Sequence, residues 1–182
     1  MRDLVAVEFM SLDGVVEAPE KWTGPYMDAE IGQTMEAGMA SSDAMLLGRR
    51  TYQDFEAYWR DKTAEEEPYA PYINQTQKFV VSKTLTSVDW QNTTLITGNA
   101  SEEVARLKGL PGKSITILGS PTLLGSLLPD GLVDRLELQL FPVVLGAGKR
   151  LFEEGKELPL ELVDSRAYKT GVVTLIYAPA GS

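Results

Sequence analysis

Apolar and polar positions change their spacing several times along the chain. Leu4 to Phe9 (LVAVEF) is a short, β-branched apolar run and predicts a strand, with Asp13-Gly14 marking the turn behind it. Glu17 to Pro25, punctuated by Pro19, Gly24 and Pro25, predicts a loop. From Asp28 the spacing becomes helical. Met27, Ile31, Met35 and Met39 recur every four residues and share one face, as a core-packing stripe does. Asp43 to Gly48 (DAMLLG) predicts a second strand. Thr51 can cap the helix that follows, with Asp54 placed to bond back, and Tyr52, Phe55 and Trp59 lie along one side of it. Asp61 to Pro71 is acidic and polar and predicts a loop.

Lys78 to Ser82 (KFVVS) predicts a strand and Leu95 to Thr97 the core of another. Asn99 or Ser101 caps a short helix through Leu107, with Glu102 and Glu103 in its first turn. Ile115 to Gly119 (ITILG) predicts a buried strand. Ser120-Pro121 is a serine cap with proline at the first helical position, and Leu123, Leu124, Leu127 and Leu128 form an apolar face. Leu132 to Leu145 is strand-like and broken or bulged at Pro142. Gly146 to Gly155 predicts a loop. Leu160 to Lys169 and Val172 to Ala178 predict a closing hairpin across Thr170-Gly171.

About eight strands and four helices result. Their alternation in the first half predicts an α/β fold, with a mainly parallel sheet covered on both faces. The all-strand final part predicts an antiparallel edge. Nothing suggests a repeat or a linker, so residues 1–182 read as a single domain.

Composition narrows the chemistry. The chain has no cysteine and no histidine, which removes thiolate and Ser-His-Asp mechanisms and makes a zinc site unexpected. A net charge of -9 argues against nucleic acid as a partner. The N-terminus MRDLVAVEF does not read as a signal peptide, and no segment approaches the ~20 apolar residues of a membrane span, so a cytoplasmic protein is expected.

Against that negative charge, three predicted strand ends are suited to anions. Gly48-Arg49-Arg50-Thr51 joins two guanidinium forks to a helix start. Ser82-Lys83-Thr84 places two hydroxyls and an ammonium after the third strand. Gly119-Ser120-Pro121-Thr122 combines a close-approach glycine with the amides of Thr122, Leu123 and Leu124. Three such sites suit a polyanion with separated phosphates, and NADPH fits. Gly146-Ala147-Gly148-Lys149 is not a P-loop, since Val143 stands where its first glycine is needed, and no G-x-G-x-x-G follows the first strand. At the other end of the candidate site, Asp13 could deliver a proton beside Gly14, Trp22 and Tyr26, which could receive a heterocycle. Asp13 is equally well explained as a turn former.

SLDGVV, LLGRRTYQDF, KFVVSKTL, ILGSPTLLGSLL and GLVDRLELQLFPVVLGAGKRLF, in that order, resemble the dihydrofolate reductase-like family. The branch is that of the C-terminal reductase domain of the bifunctional riboflavin-biosynthesis deaminase-reductase, here in a standalone form. The resemblance runs from about Val5 to about Tyr177. It implies a three-layer α/β/α sandwich with a mixed sheet of about eight strands, a homodimer, and NADPH as hydride donor to a small pyrimidine- or pterin-like heterocycle. By motif, Gly48, Arg49, Arg50 and Thr51 would contact phosphates. Ser82, Lys83 and Thr84 would lie at the adenosine end. Gly119, Ser120, Thr122 and Leu123 would cradle the diphosphate. Asp13 would be catalytic, with Gly14 near the nicotinamide and substrate. The stretch Pro142 to Phe152 would shape the active-site side or the dimer. Counting back from Gly48 by the family spacing puts Gly32 where dihydrofolate reductases carry a helix acid, with Asp28, Glu30 and Glu36 out of register. A nucleotide-binding or sensor module without turnover, and a purely structural dimer, are the alternatives.

Overall fold

A computed structural model describes residues 1–152 and 157–180. The last three residues of the loop expected over 146–155 therefore lie outside the described residues. Eight strands form one sheet: β1 (Leu4–Ser11), β2 (Ser42–Gly48), β3 (Gln77–Val81), β4 (Thr93–Ile96), β5 (Ser114–Leu118), β6 (Arg135–Phe141), β7 (Leu160–Ala167) and β8 (Val173–Pro179). Their order is β4-β3-β2-β5-β1-β6-β8-β7. Neighbours from β4 to β6 are parallel, while β8 runs antiparallel to both β6 and β7. This is the expected mixed sheet with an antiparallel C-terminal hairpin.

Among the described residues five α-helices flank it: α1 (Ala29–Ala40), α2 (Arg49–Trp59), α3 (Ala70–Gln75), α4 (Ala100–Lys108) and α5 (Pro121–Leu127). The period-2 alternation of β1 divides the core. Leu4 and Ala6 face Val104, Leu107, Leu124 and Leu127 of α4 and α5. On the opposite face α2 and α3 cover Met45, Leu47 and Val80, while α1 packs Ile31 against Phe141 and Tyr168. The methionine stripe of α1 is thus divided: Ile31 is core, whereas Met35 and Met39 line a cleft.

α3 lies in a stretch whose two prolines and missing periodicity give no helical signal. Tertiary contacts hold it instead. The Asn74 amide donates to the Trp59 carbonyl at 2.7 Å and accepts from the Trp90 indole at 2.8 Å. Fully buried Lys78 donates to the carbonyls of Ile73, Asn74 and Thr76 at 3.0, 3.0 and 2.8 Å, with its ammonium 4.4 Å from the Trp90 ring centre. Burial pulls its pKa down to about 8, and the carbonyls and ring supply the compensation. Lys78→Met leaves these carbonyls without their charged donor. It is expected to cost about 3 kcal/mol, read from the denaturation midpoint.

Candidate functional site

Strand order does what the sequence could not show: β3, β2 and β5 are adjacent, so their carboxyl ends converge. Gly48 N–H donates to Ser120 Oγ at 2.7 Å, and the Ser120 hydroxyl donates to Thr51 Oγ1 at 2.7 Å. The contact requires glycine at position 48, where a Cβ would stand 2.8 Å from Ser120 Oγ. Gly119 and Ser120 both take left-handed backbone, each with φ of 66°.

This clamp corrects two expected caps. α2 begins at Arg49, with Gly48 rather than Thr51 in the capping position. The two arginines therefore form the first turn of the helix, where backbone amides lack intrahelical acceptors. Ser120 precedes α5 but makes no side-chain cap, because its hydroxyl is turned across to Gly48 and Thr51. Of the three amides expected to face a ligand there, that of Leu124 is taken by the Ser120 carbonyl at 3.0 Å.

Arg49, Arg50 and Lys83 are exposed and line one cleft together with Gly48, Thr51 and Ser82. Gly119, Ser120, Thr122 and Leu123 line it from the β5 side. Among the described residues, none of Arg49, Arg50 and Lys83 is in an ion pair. Lys149 adds a fourth cation and donates to Thr122 Oγ1. Thr84 does not line the cleft. Its amide, with that of Leu85, bonds to Ser82 Oγ at 3.2 and 3.0 Å, so Ser82 closes its own turn. The stretch 97–101, the turn after β4 and the first residues of α4, also joins the cleft, where the sequence suggests only a helix cap at Asn99 or Ser101.

Asp13, Gly14, Trp22 and Tyr26 do not line this cleft. The Asp13 carboxylate accepts from Ser11 Oγ at 2.7 Å, Leu145 N–H at 3.1 Å and Gly146 N–H at 2.8 Å. These bonds hold its pKa at about 2, far below that of a proton donor at neutral pH. It pins the loop after β1 to residues 143–151. Leu12 N–H to Val143 carbonyl, Val16 N–H to Lys149 carbonyl and Leu151 N–H to Gly14 carbonyl complete the zipper. Trp22 and Tyr26 pack edge-on against Phe141, with ring centres 5.5 and 6.1 Å away.

The cleft has about 1730 Å³, more than one drug-sized ligand needs. Beyond the strand ends it continues over the sheet face as a groove. Val5 and Val7 form its floor, Met35 and Met39 of α1 one wall, and Trp59 and Tyr69 the other. Glu137 and Gln139 also line it, two polar residues of β6 to which the sequence pattern assigns nothing beyond a strand. Among the described residues no cluster of acidic side chains could hold a metal, and no helix is long and apolar enough to cross a membrane.

The family described as the RibD C-terminal domain matches residues 2–174. An uncharacterized protein of Bacillus subtilis (strain 168), YyaP, is 33% identical over 175 residues, covering 92% of this chain and 90% of its own. Two solved structures share the fold at low identity. One is a diaminohydroxyphosphoribosylaminopyrimidine deaminase/5-amino-6-(5-phosphoribosylamino)uracil reductase from Thermotoga maritima. It has a TM-score of 0.70 at 11% identity, over 98% of this chain and 57% of that one. The other is dihydrofolate reductase from Enterococcus faecalis complexed with NADP(H), with a TM-score of 0.66 at 13% identity over 98% and 96% of the two chains.

Proposed function

The chain belongs to the RibD C-terminal domain family, and on that premise we propose that it is an NADPH-dependent reductase acting on a C=N or C=O group of a small pyrimidine- or pterin-like heterocycle. The observation that carries the reading is the convergence of three adjacent strand ends with three cations outside any described ion pair. Two relatives in fold add support, one named as a reductase of a phosphoribosylaminouracil and one solved with NADP(H).

The residues present fit a dinucleotide. Gly119, just past β5, adds no side chain at that strand end, as close approach of a diphosphate requires, while Gly48 leaves the room that the Ser120 side chain fills. Arg49 and Arg50 would hold phosphate oxygens in their guanidinium forks, Thr122 and Leu123 would offer amides, and Lys83 would lie towards the adenosine end. When bound, the cofactor supplies the hydride. The protein's own part is orientation and exclusion of water: the groove takes the ring, and the zippered loops close its end.

Asp13 has a positioning role in this reading, as the pin between the two loops. Asp13→Asn withdraws a carboxylate from two amides and a hydroxyl. Turnover is expected to fall about tenfold, with NADPH affinity within about twofold of wild type, because the strand-end cradle is untouched. Stopped-flow turnover and a fluorescence titration measure the two separately. Turnover equal to wild type removes the role.

Homodimerisation is part of the proposal. β7 is an edge strand and exposes Leu162 and Val163, as an edge that is covered in an assembly would. Sedimentation of the wild type against Val163→Lys tests it, the variant being expected to run as the smaller species.

A further inference from the structure

The sheet-face groove carries polar groups that the fold itself does not use. Gln139 is 5% exposed, and its Oε1 has no hydrogen-bond partner among the described residues. Glu137 is half-buried on the same face of β6, two residues away, and among the described residues it makes no hydrogen bond or ion pair. Register places both beside the groove floor: Glu137 lies opposite Val7 of β1, and Gln139 lies between Phe9 of β1 and Thr174 of β8. Its nearest charged neighbour on the strand, Arg135, is paired with Asp3 at 2.9 Å.

The helix opposite supplies no carboxyl. The residues of α1 that line the groove are Thr34, Met35, Gly38 and Met39. The acids of that region are otherwise placed: Asp28 caps α1 at Ile31 N–H, Glu30 pairs with Arg166, and Glu36 is exposed. Glu8 also lines the cleft, but from the other face of β1, the one it shares with Leu4 and Ala6. On the groove face of the sheet, acceptors thus sit at one end of a slot whose walls are aliphatic and aromatic.

We propose that Glu137 and Gln139 are the specificity-determining pair of the groove, accepting hydrogen bonds from N–H groups along one edge of a flat heterocycle held between the α1 methionines and the aromatic wall. The assignment rests on the reading of the cleft as a reductase site and adds the residues that select the substrate. Leaving a buried amide oxygen unpaired is costly unless a ligand completes it. Burial raises the Glu137 pKa in the same way, and N–H donors brought up to the carboxylate relieve that strain. The spacing of two same-face residues on a strand, roughly 6.7 Å, suits two donors on one ring edge.

The test uses the full chain without cofactor and two probes of one shape. 2,4-Diaminopyrimidine presents N–H donors, and 2,4-dimethoxypyrimidine presents acceptors only. Calorimetric or ligand-observed NMR titration should show binding of the diamino probe and about tenfold weaker binding, or none, of the dimethoxy probe. Glu137→Gln and Gln139→Leu should each weaken the diamino probe about tenfold, while Gln139→Leu leaves the melting temperature equal or raised, since it deletes an unpaired polar group. Equal affinity of wild type for the two probes, no binding of the diamino probe, or variants that bind it like wild type overturns the assignment. NADPH titrated into the same variants should bind unchanged. Probe selectivity without NADPH binding leaves the pair standing and removes the reductase reading, and NADPH binding without probe selectivity does the reverse.

Discussion

Wild-type protein is expected to lose about 4 kcal/mol of stability between pH 4.5 and 8 that Glu8→Gln does not lose. Glu8 is 3% exposed on β1, and one of its carboxylate oxygens has no partner among the described residues. Burial raises its pKa from 4.5 to about 8. The folded state therefore binds this proton more tightly than the unfolded chain does. The contribution is fully present below pH 4.5 and is lost as pH rises through the interval to about 8. Glutamine keeps the shape and the hydrogen-bonding oxygen but cannot ionise. Thermal melts of both proteins across that range measure the difference, expected to approach about 10 °C. Other half-buried acids, Glu56 and Glu137, have pKa values raised in the same direction, so the difference between the two proteins is the informative quantity. Parallel pH profiles would mean that Glu8 is ionised and solvated in the folded protein.

Gly48→Ala should damage the strand-end cradle more than any other single methyl. The new Cβ would stand 2.8 Å from Ser120 Oγ and 3.1 Å from Ser120 Cβ. Ser120 can retreat only by releasing Gly48 N–H and Thr51 Oγ1, both at 2.7 Å. We expect about 1–3 kcal/mol of destabilisation from overpacking. NADPH affinity should fall about tenfold or more, because the start of α2 carries Arg49 and Arg50 and is held through this contact. Ser120→Gly in the same chain removes both clashing atoms and suits a backbone φ of 66°. The double variant should therefore recover much of the stability that Gly48→Ala loses, a coupling that a double-mutant cycle reads directly. A Gly48→Ala protein that binds NADPH like wild type contradicts the cradle.

The residues of the cradle were readable along the chain; their meeting was not. Arginine pairs, hydroxyls and glycines at three strand ends are local signals. That those ends touch depends on crossovers that set β3, β2 and β5 side by side, which no local spacing encodes. Thr51 with Asp54 imitated a capping box, yet the hydroxyl that decides the geometry belongs to Ser120, 69 residues away. α3 gives no local signal because Lys78, and the partners of its own Asn74 at Trp59 and Trp90, hold it from outside, against its own propensity. The groove pair did leave a signal. In RLELQLF, apolar and polar residues alternate along β6, and Glu137 and Gln139 take the face that a strand covered on both sides would fill with apolar groups. Trp22 and Tyr26 misled in the opposite sense, since aromatic residues in a proline-rich loop can as well pack on a core phenylalanine as meet a ligand.

The central claim is that the convergent strand ends hold a phosphorylated dinucleotide, and parallel fluorescence titrations with NADPH and NADH test it most directly. Wild type should prefer NADPH, with affinity falling as salt is raised. Arg49→Ala and Arg50→Ala should each weaken NADPH by about tenfold or more while leaving the melting temperature nearly unchanged, since neither side chain is in a described ion pair. Binding of neither nucleotide by wild type, or NADPH affinity indifferent to both substitutions, would contradict the account.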